Sequence, residues 1–254
     1  MHKATLKHTV LLALLGTLAV TVPALASRII ATPFAEVPTA GDYKLSQFAL
    51  RESRSTDTWR MLTRLDLGMT DRTELGIYII NPDNAPTSTW INLQHRLAKE
   101  TPSRPTISVG VWDLANIHGF SGQKTGGSFF VAASKKVTVG EGRPPLKLSF
   151  GLGTNRLNGA FGGVIAPLST KLGIMAEYTP KNLRLPETDS IDAGVYYFVS
   201  PRLRLRASWV GGNPMLDLCF GGMIGPNHKQ TTQAQRPSLV PASAAAIPGD
   251  LPRK

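Results

Sequence analysis

The sequence predicts an all-β chain, an antiparallel up-and-down transmembrane β-barrel of about 12 strands (range about 10–14) that follows a cleaved signal peptide. Three observations carry this. Apolar and polar residues alternate with period two in segment after segment, no stretch beyond residue 27 offers a convincing amphipathic helix, and the N-terminus has the order of an export signal. The plainest case of alternation is RLRLRASW, where Arg202, Arg204, Arg206 and Ser208 oppose Leu203, Leu205, Ala207 and Trp209. Such a strand has two faces in different surroundings. It suits a soluble sheet with one face in water, or a barrel with lipid outside and a wet lumen inside.

Taken in order, the chain begins with Lys3 and Lys7, an apolar run from Thr9 to Val22, and the small-residue site Pro23-Ala24-Leu25-Ala26-Ser27. Residues 1–26 therefore read as a secretory signal cleaved after Ala26, the alternative being an uncleaved membrane anchor. No cysteine follows the site, as a lipoprotein anchor would require. The barrel domain is predicted over residues 27–224. Its candidate strands are Tyr43–Leu50, Trp59–Met69, Thr73–Ile80, Trp90–Ala98, Thr106–Leu114 and Ser128–Val137, then Leu146–Gly153, Phe161–Ala166, Lys171–Tyr178, Ile191–Val199, Arg202–Trp209 and Met215–Gly222. Each is followed within a few residues by Gly, Pro, Asn or Asp turn chemistry.

Three hairpins share one plan, with turns at Thr70-Asp71, Ser169-Thr170 and Ser200-Pro201 followed by Arg72, Lys171 and Arg202. Longer segments, Pro82–Thr89, Asn116–Gly127 and Pro180–Ser190, fall at the other strand ends. That asymmetry matches a barrel with short periplasmic turns and longer outer loops, although a soluble sandwich also uses tight turns. Glycine and serine recur opposite the apolar rows, where a closed sheet curves. Tyr43, Trp59, Trp90, Trp112, Tyr178 and Trp209 lie near strand ends and are expected to form an interfacial girdle. Residues 225–254 are rich in Pro, Ala, Ser and Gln and poor in large apolar residues, and are expected to be a disordered tail.

The formal charge is +11, and removing Lys3 and Lys7 with the signal leaves +9. A basic exported chain favours anionic partners, and export argues against nucleic acid. The only cysteine, Cys219, can form no internal disulfide and is expected to be a packing residue.

Several segments resemble the YjbH-type outer-membrane proteins. ATPFAEVPTAGDYKLSQFAL (residues 31–50) is similar to that family's opening, with its Gly-Asp turn leading into the first strand. ISVGVWDLANIHGFSG and SFFVAASKK resemble its Gly-x-x-Asp stretch, Gly-Phe loop and following strand, carried here by Gly110, Asp113, Gly119, Phe120 and Val131 to Lys136. LKLSFGLGTNRLNG and the closing hairpin, with Gly212, Asn213, Met215, Leu216 and Leu218, continue the likeness in the same order through residue 222. The chain departs in its shortness, in Ala115-Asn116 where a Gly-Thr pair is usual, and in its tail. The resemblance implies an outer-membrane location and a part in making or exporting extracellular polysaccharide. It transfers no catalytic residue.

The residues show no G-x-S-x-G elbow, H-E-x-x-H helix or phosphate loop, and Gly151-x-Gly153 lacks the third glycine of a nucleotide fingerprint. No cofactor or metal is expected. The most enzyme-like group is Asp113, His118 and Ser121 in one Gly-rich stretch. Alternation instead directs Arg64, Lys147, Arg202, Arg204 and Arg206 into the lumen, because an arginine facing midplane lipid costs roughly 2–4 kcal/mol. Asp66, Glu74, Glu177 and Asp217 fall on the same face as candidate partners. These charges either pair and fill a narrow barrel, or form a cationic vestibule for acidic glycan. Three expectations result: a non-enzymatic outer-membrane barrel in contact with lipid, acidic polysaccharide and other envelope secretion components; a barrel enzyme using the residue 113–121 loop on envelope lipid or glycan; or a soluble periplasmic β-sandwich binding an acidic polymer.

Overall fold

The computed structural model describes residues 28–30, 32–51, 59–81, 87–117, 127–140, 144–179 and 190–224, all within one compact unit that ends at Ile224. The predicted signal segment, the tail, and the His118 and Ser121 positions lie outside the described residues. The strands are β1 (Asp42–Arg51), β2 (Trp59–Thr70), β3 (Thr73–Asn81), β4 (Ser88–Ala98), β5 (Thr106–Ile117), β6 (Ser128–Val137), β7 (Leu146–Gly153), β8 (Gly159–Pro167), β9 (Leu172–Thr179), β10 (Ser190–Phe198), β11 (Leu203–Val210) and β12 (Asn213–Met223). Each pairs antiparallel with its sequence neighbours, and β12 returns to β1 from Asp42↔Met223 to Leu50↔Met215. The sheet is thus a closed twelve-stranded barrel, as the alternation predicts. The only helical element among the described residues is a single 3-10 turn at Asn155–Leu157.

Period-two alternation sorts the two faces. Along β11, Leu205, Ala207 and Trp209 are exposed while Arg204, Arg206 and Ser208 are buried. Leu45, Leu93, Leu148, Phe150, Leu152, Ile174, Val195, Leu216 and Leu218 also project outward from their strands. An apolar exterior around an interior that holds the buried charges matches a barrel solvated by lipid. Closure also removes the free sheet edges that a sandwich would have.

Glycines on the inner face make room for aromatic rings. A Cβ on Gly110 would strike the Phe130 ring, one on Gly151 the Phe161 ring, and one on Gly173 the Tyr196 ring. Each ring belongs to the residue directly across the strand pair. Trp112 departs from the girdle expected of it. It is 7% exposed and packs edge-on to Phe130, because Gly110 already faces the lumen and two residues on is the same face. Just beyond it a bulge in β5 holds Asp113 in the left-handed region (φ 59°), with its N–H donated to Asn92 Oδ1 at 2.9 Å. Asp113 therefore also lies buried inside, in a strand rather than in a loop. Trp209 and Tyr178 remain outward, as expected of a girdle.

Candidate functional site: an occluded lumen and a basic mouth

Residues 28–30 and 32–41, which precede β1, run inside the barrel. Arg28 and Pro33 form an antiparallel bridge and the Ile29 N–H reaches the Thr32 carbonyl, so the segment reverses on itself within the lumen. Ile29, Ile30, Thr32, Phe34 and Ala35 are at most 1% exposed. Ile29, Ile30 and Phe34 pack with Phe48, Met175, Tyr196, Val210 and Met215, and Ala35 packs with Trp112, Phe130, Ala132, Leu157 and Phe161. The Arg28 guanidinium lies 3.6 Å from the Trp112 ring centroid and 4.5 Å from that of Tyr78.

The wall holds this plug by its main chain. Glu177 Oε2 accepts from Ile30 N (2.9 Å), Thr32 N (3.1 Å) and Thr32 Oγ1 (2.8 Å). Arg206 Nη1 donates to the Ile29 carbonyl at 2.7 Å, Gln94 Nε2 to the Phe34 carbonyl at 2.7 Å, and Ala35 N to Ser134 Oγ at 2.8 Å. Near the mouth a Cβ on Gly68 would overlap the Thr39 carbonyl, so that glycine admits the chain. Sequence reasoning missed the plug. The available signal was four large apolar residues, Ile29, Ile30, Phe34 and Val37, in a proline-broken stretch with no strand period, which must be buried somewhere other than in a strand.

Most of the charges assigned to the lumen are there, and most are joined to a partner. Arg64 Nε is 2.7 Å from Asp66 Oδ2, and Tyr78 Oη donates to Asp66 Oδ1 at 3.4 Å. Arg206 and Arg204 converge on Asp217 Oδ2 at 2.9 and 3.6 Å, Arg206 lying directly across from Asp217 in the register. Glu177 binds the plug main chain, and Asp192, directly opposite it, accepts from Gly211 N. Glu74 is buried on the inner face of β3, in the field of Lys44, Arg64 and Arg28. Lys147 is half-buried and pairs at 3.2 Å with Glu36 of the plug. Arg202 lies at the β10–β11 turn, half-buried and apart from these pairs. Lys44, buried on β1 and opposite Asp66, belongs to the same face but was not singled out from the sequence.

The short turns β2–β3, β8–β9 and β10–β11 surround one mouth, where β1 also begins and β12 ends. Beside the plug a cavity of about 820 Å³ opens at this mouth and reaches inward to Lys44. Among the described residues no group of His, Cys, Asp and Glu could hold a metal ion, and Cys219 is buried in the wall.

No family model matches the chain, and no curated protein does. Among solved structures it is similar to the crystal structure of the Acinetobacter baumannii outer membrane protein Omp33, with a TM-score of 0.49 and 6% identity over 72% of this chain and 97% of that one. It is also similar to the COG4313 outer membrane channel from Pseudomonas putida F1, with a TM-score of 0.33 and 11% identity over 73% of this chain and 96% of that one.

Proposed function

We propose that this chain is a non-enzymatic outer-membrane barrel that works as a gated conduit for anionic solutes, closed here by its own N-terminal segment. The observation that carries the reading is how the plug is held. Its described residues from 28 to 38 join the wall through wall side chains and add no strand to the sheet, so they can leave through the mouth without breaking any wall pairing. The lipid-facing exterior supports the membrane location, and the short β2–β3, β8–β9 and β10–β11 turns favour a periplasmic side for the plug's mouth. The basic charge of the exported part supports an anionic solute. Acidic glycan is the solute class that the YjbH-type resemblance adds.

The test is a reversible lock. Ala35 N lies 2.8 Å from Ser134 Oγ, so plug and wall are neighbours at this point, and the pair to oxidise is Ala35→Cys with Ser134→Cys in a Cys219→Ser background, bridge formation being checked by thiol titration. In planar bilayers the oxidised protein is expected to be silent and the reduced protein to conduct. Equal conductance in both states would remove the plug as the gate. Silence in both would instead favour a permanently filled anchor, a reading to which the two apolar clusters around the plug lend weight. The glycan assignment fails if deleting the protein leaves surface polysaccharide unchanged in amount and place.

A further inference from the structure

The cavity at the mouth is enclosed on one side by plug residues 36–39 and on the other by the starts of β1 and β5, the β2–β3 and β4–β5 turns and the ends of β4, β6 and β12. Four acids line it, and each is engaged. Asp42 Oδ2 accepts from Thr39 N at 3.1 Å and Asp71 Oδ1 from Ala40 N at 3.2 Å. Glu36 lies between Lys147 and Lys136, and Glu100 accepts from Lys136 N at 2.9 Å. The cations are left with capacity. The side chains of Arg72, Lys99 and Arg104 make no ion pair or hydrogen bond among the described residues. At the inner end Lys44 is only 5% exposed and lines the cavity; it lies in the field of Glu74 and Asp66 but makes no hydrogen bond or ion pair among the described residues. Its ammonium opens on the cavity with three N–H donors that no protein acceptor takes up, which favours an occupant with acceptor oxygens.

We propose that this cavity binds a small solute bearing an oxyanion, a phosphate or carboxylate group, which Lys44 receives at the inner end while Arg72, Lys99 and Arg104 attract it at the rim. At about 820 Å³ the space lies within the usual size of small-molecule sites. The rim cations raise local anion concentration and act over a screening length, whereas Lys44 bonds the anion directly in a low-dielectric setting. The site goes beyond the conduit reading, because it is part of the closed barrel and binding to it can be read without any current.

The experiment is calorimetric titration of the full-length protein in detergent micelles with inorganic phosphate, galacturonate and, as the neutral control, galactose. Saturable binding of phosphate or galacturonate, but not galactose, is expected. Lys44→Gln should weaken it about tenfold or more, Lys44→Arg should retain most of it, and Arg104→Gln should weaken it only about two- to threefold, in a manner that salt erases. Heat-dependent gel mobility identifies any variant that has failed to close. Binding that survives Lys44→Gln, galactose binding as tight as galacturonate, or no saturable heat with either anion would overturn the proposal. Failure here with a working disulfide gate would leave the conduit standing, and the converse result would leave the site standing without it.

Discussion

The inner wall is not one surface but two. From β5 to β10 it presents Trp112, Phe130, Phe161, Met175 and Tyr196, and with Val210 and Met215 of β11 and β12 these residues close on the plug as a globular core would. From β1 to β4 it presents Lys44, Ser46, Arg64, Asp66, Glu74, Asn92 and Gln94, and at its lower end it borders an open cavity. Phe48, Tyr78 and Ile80 cross into the polar half, and Asp113, Glu177, Asp192, Arg204, Arg206 and Asp217 into the apolar one. Arg204 and Arg206 are bonded to Asp217, Arg206 and Glu177 to the plug, and Asp192 to Gly211 N, whereas Lys44 has no hydrogen bond or ion pair among the described residues. One strand period therefore builds a solid half and a wet half, and charge costs different things in each.

The sharpest way to break this contrast is Asp217→Ala. It strands Arg204 and Arg206 in the solid half and is expected to lower stability by about 3–5 kcal/mol, the usual cost of removing one member of a buried pair. Urea unfolding in lipid vesicles measures it, and a loss below about 1 kcal/mol would mean that water reaches these arginines. Ile30→Ala, in the plug, should cost about 2–4 kcal/mol by the same measurement, and it should raise the open probability of the reduced disulfide variant. Lys44→Met, in the wet half, removes an ammonium with no bonded partner and is expected to change stability by no more than about 1 kcal/mol in either direction. A loss as large as that of Asp217→Ala would erase the distinction between the halves. Arg104→Gln at the rim should fall within about 0.5 kcal/mol, with only anion binding affected.

How much of this was legible follows from what alternation encodes. Alternation assigns each residue to a face, so the twelve strands, the outward Leu205 and Trp209, and the inward Arg64, Arg204, Arg206 and Asp217 could all be read from sequence. Alternation does not say which strand neighbours which at what height. The Arg206–Asp217 pair needs the β11–β12 register, and Lys44 came to notice only when β1 was placed against β2 at Asp66. Trp112 was legible and misread, since its spacing from Gly110 already puts it inside. The plug was illegible to any periodic test. Its apolar residues are interrupted by Pro33, and they follow the hollow of the barrel rather than a strand. A cavity that depends on the plug for one wall was invisible for the same reason.

The plug directly precedes β1, and β1 makes its second set of wall pairings with β12, at the far end of the domain. A ribosome therefore synthesises the stopper before any of the staves. The ring cannot be sealed until the final stave arrives, because the Asp42↔Met223 seam joins the two extremes of the domain. Pairing so distant in sequence is slow to form, which leaves the stopper an interval in which the side of the cask is still open. After sealing, no gap between staves remains for it to pass, so its place in the chain makes loading a step of assembly.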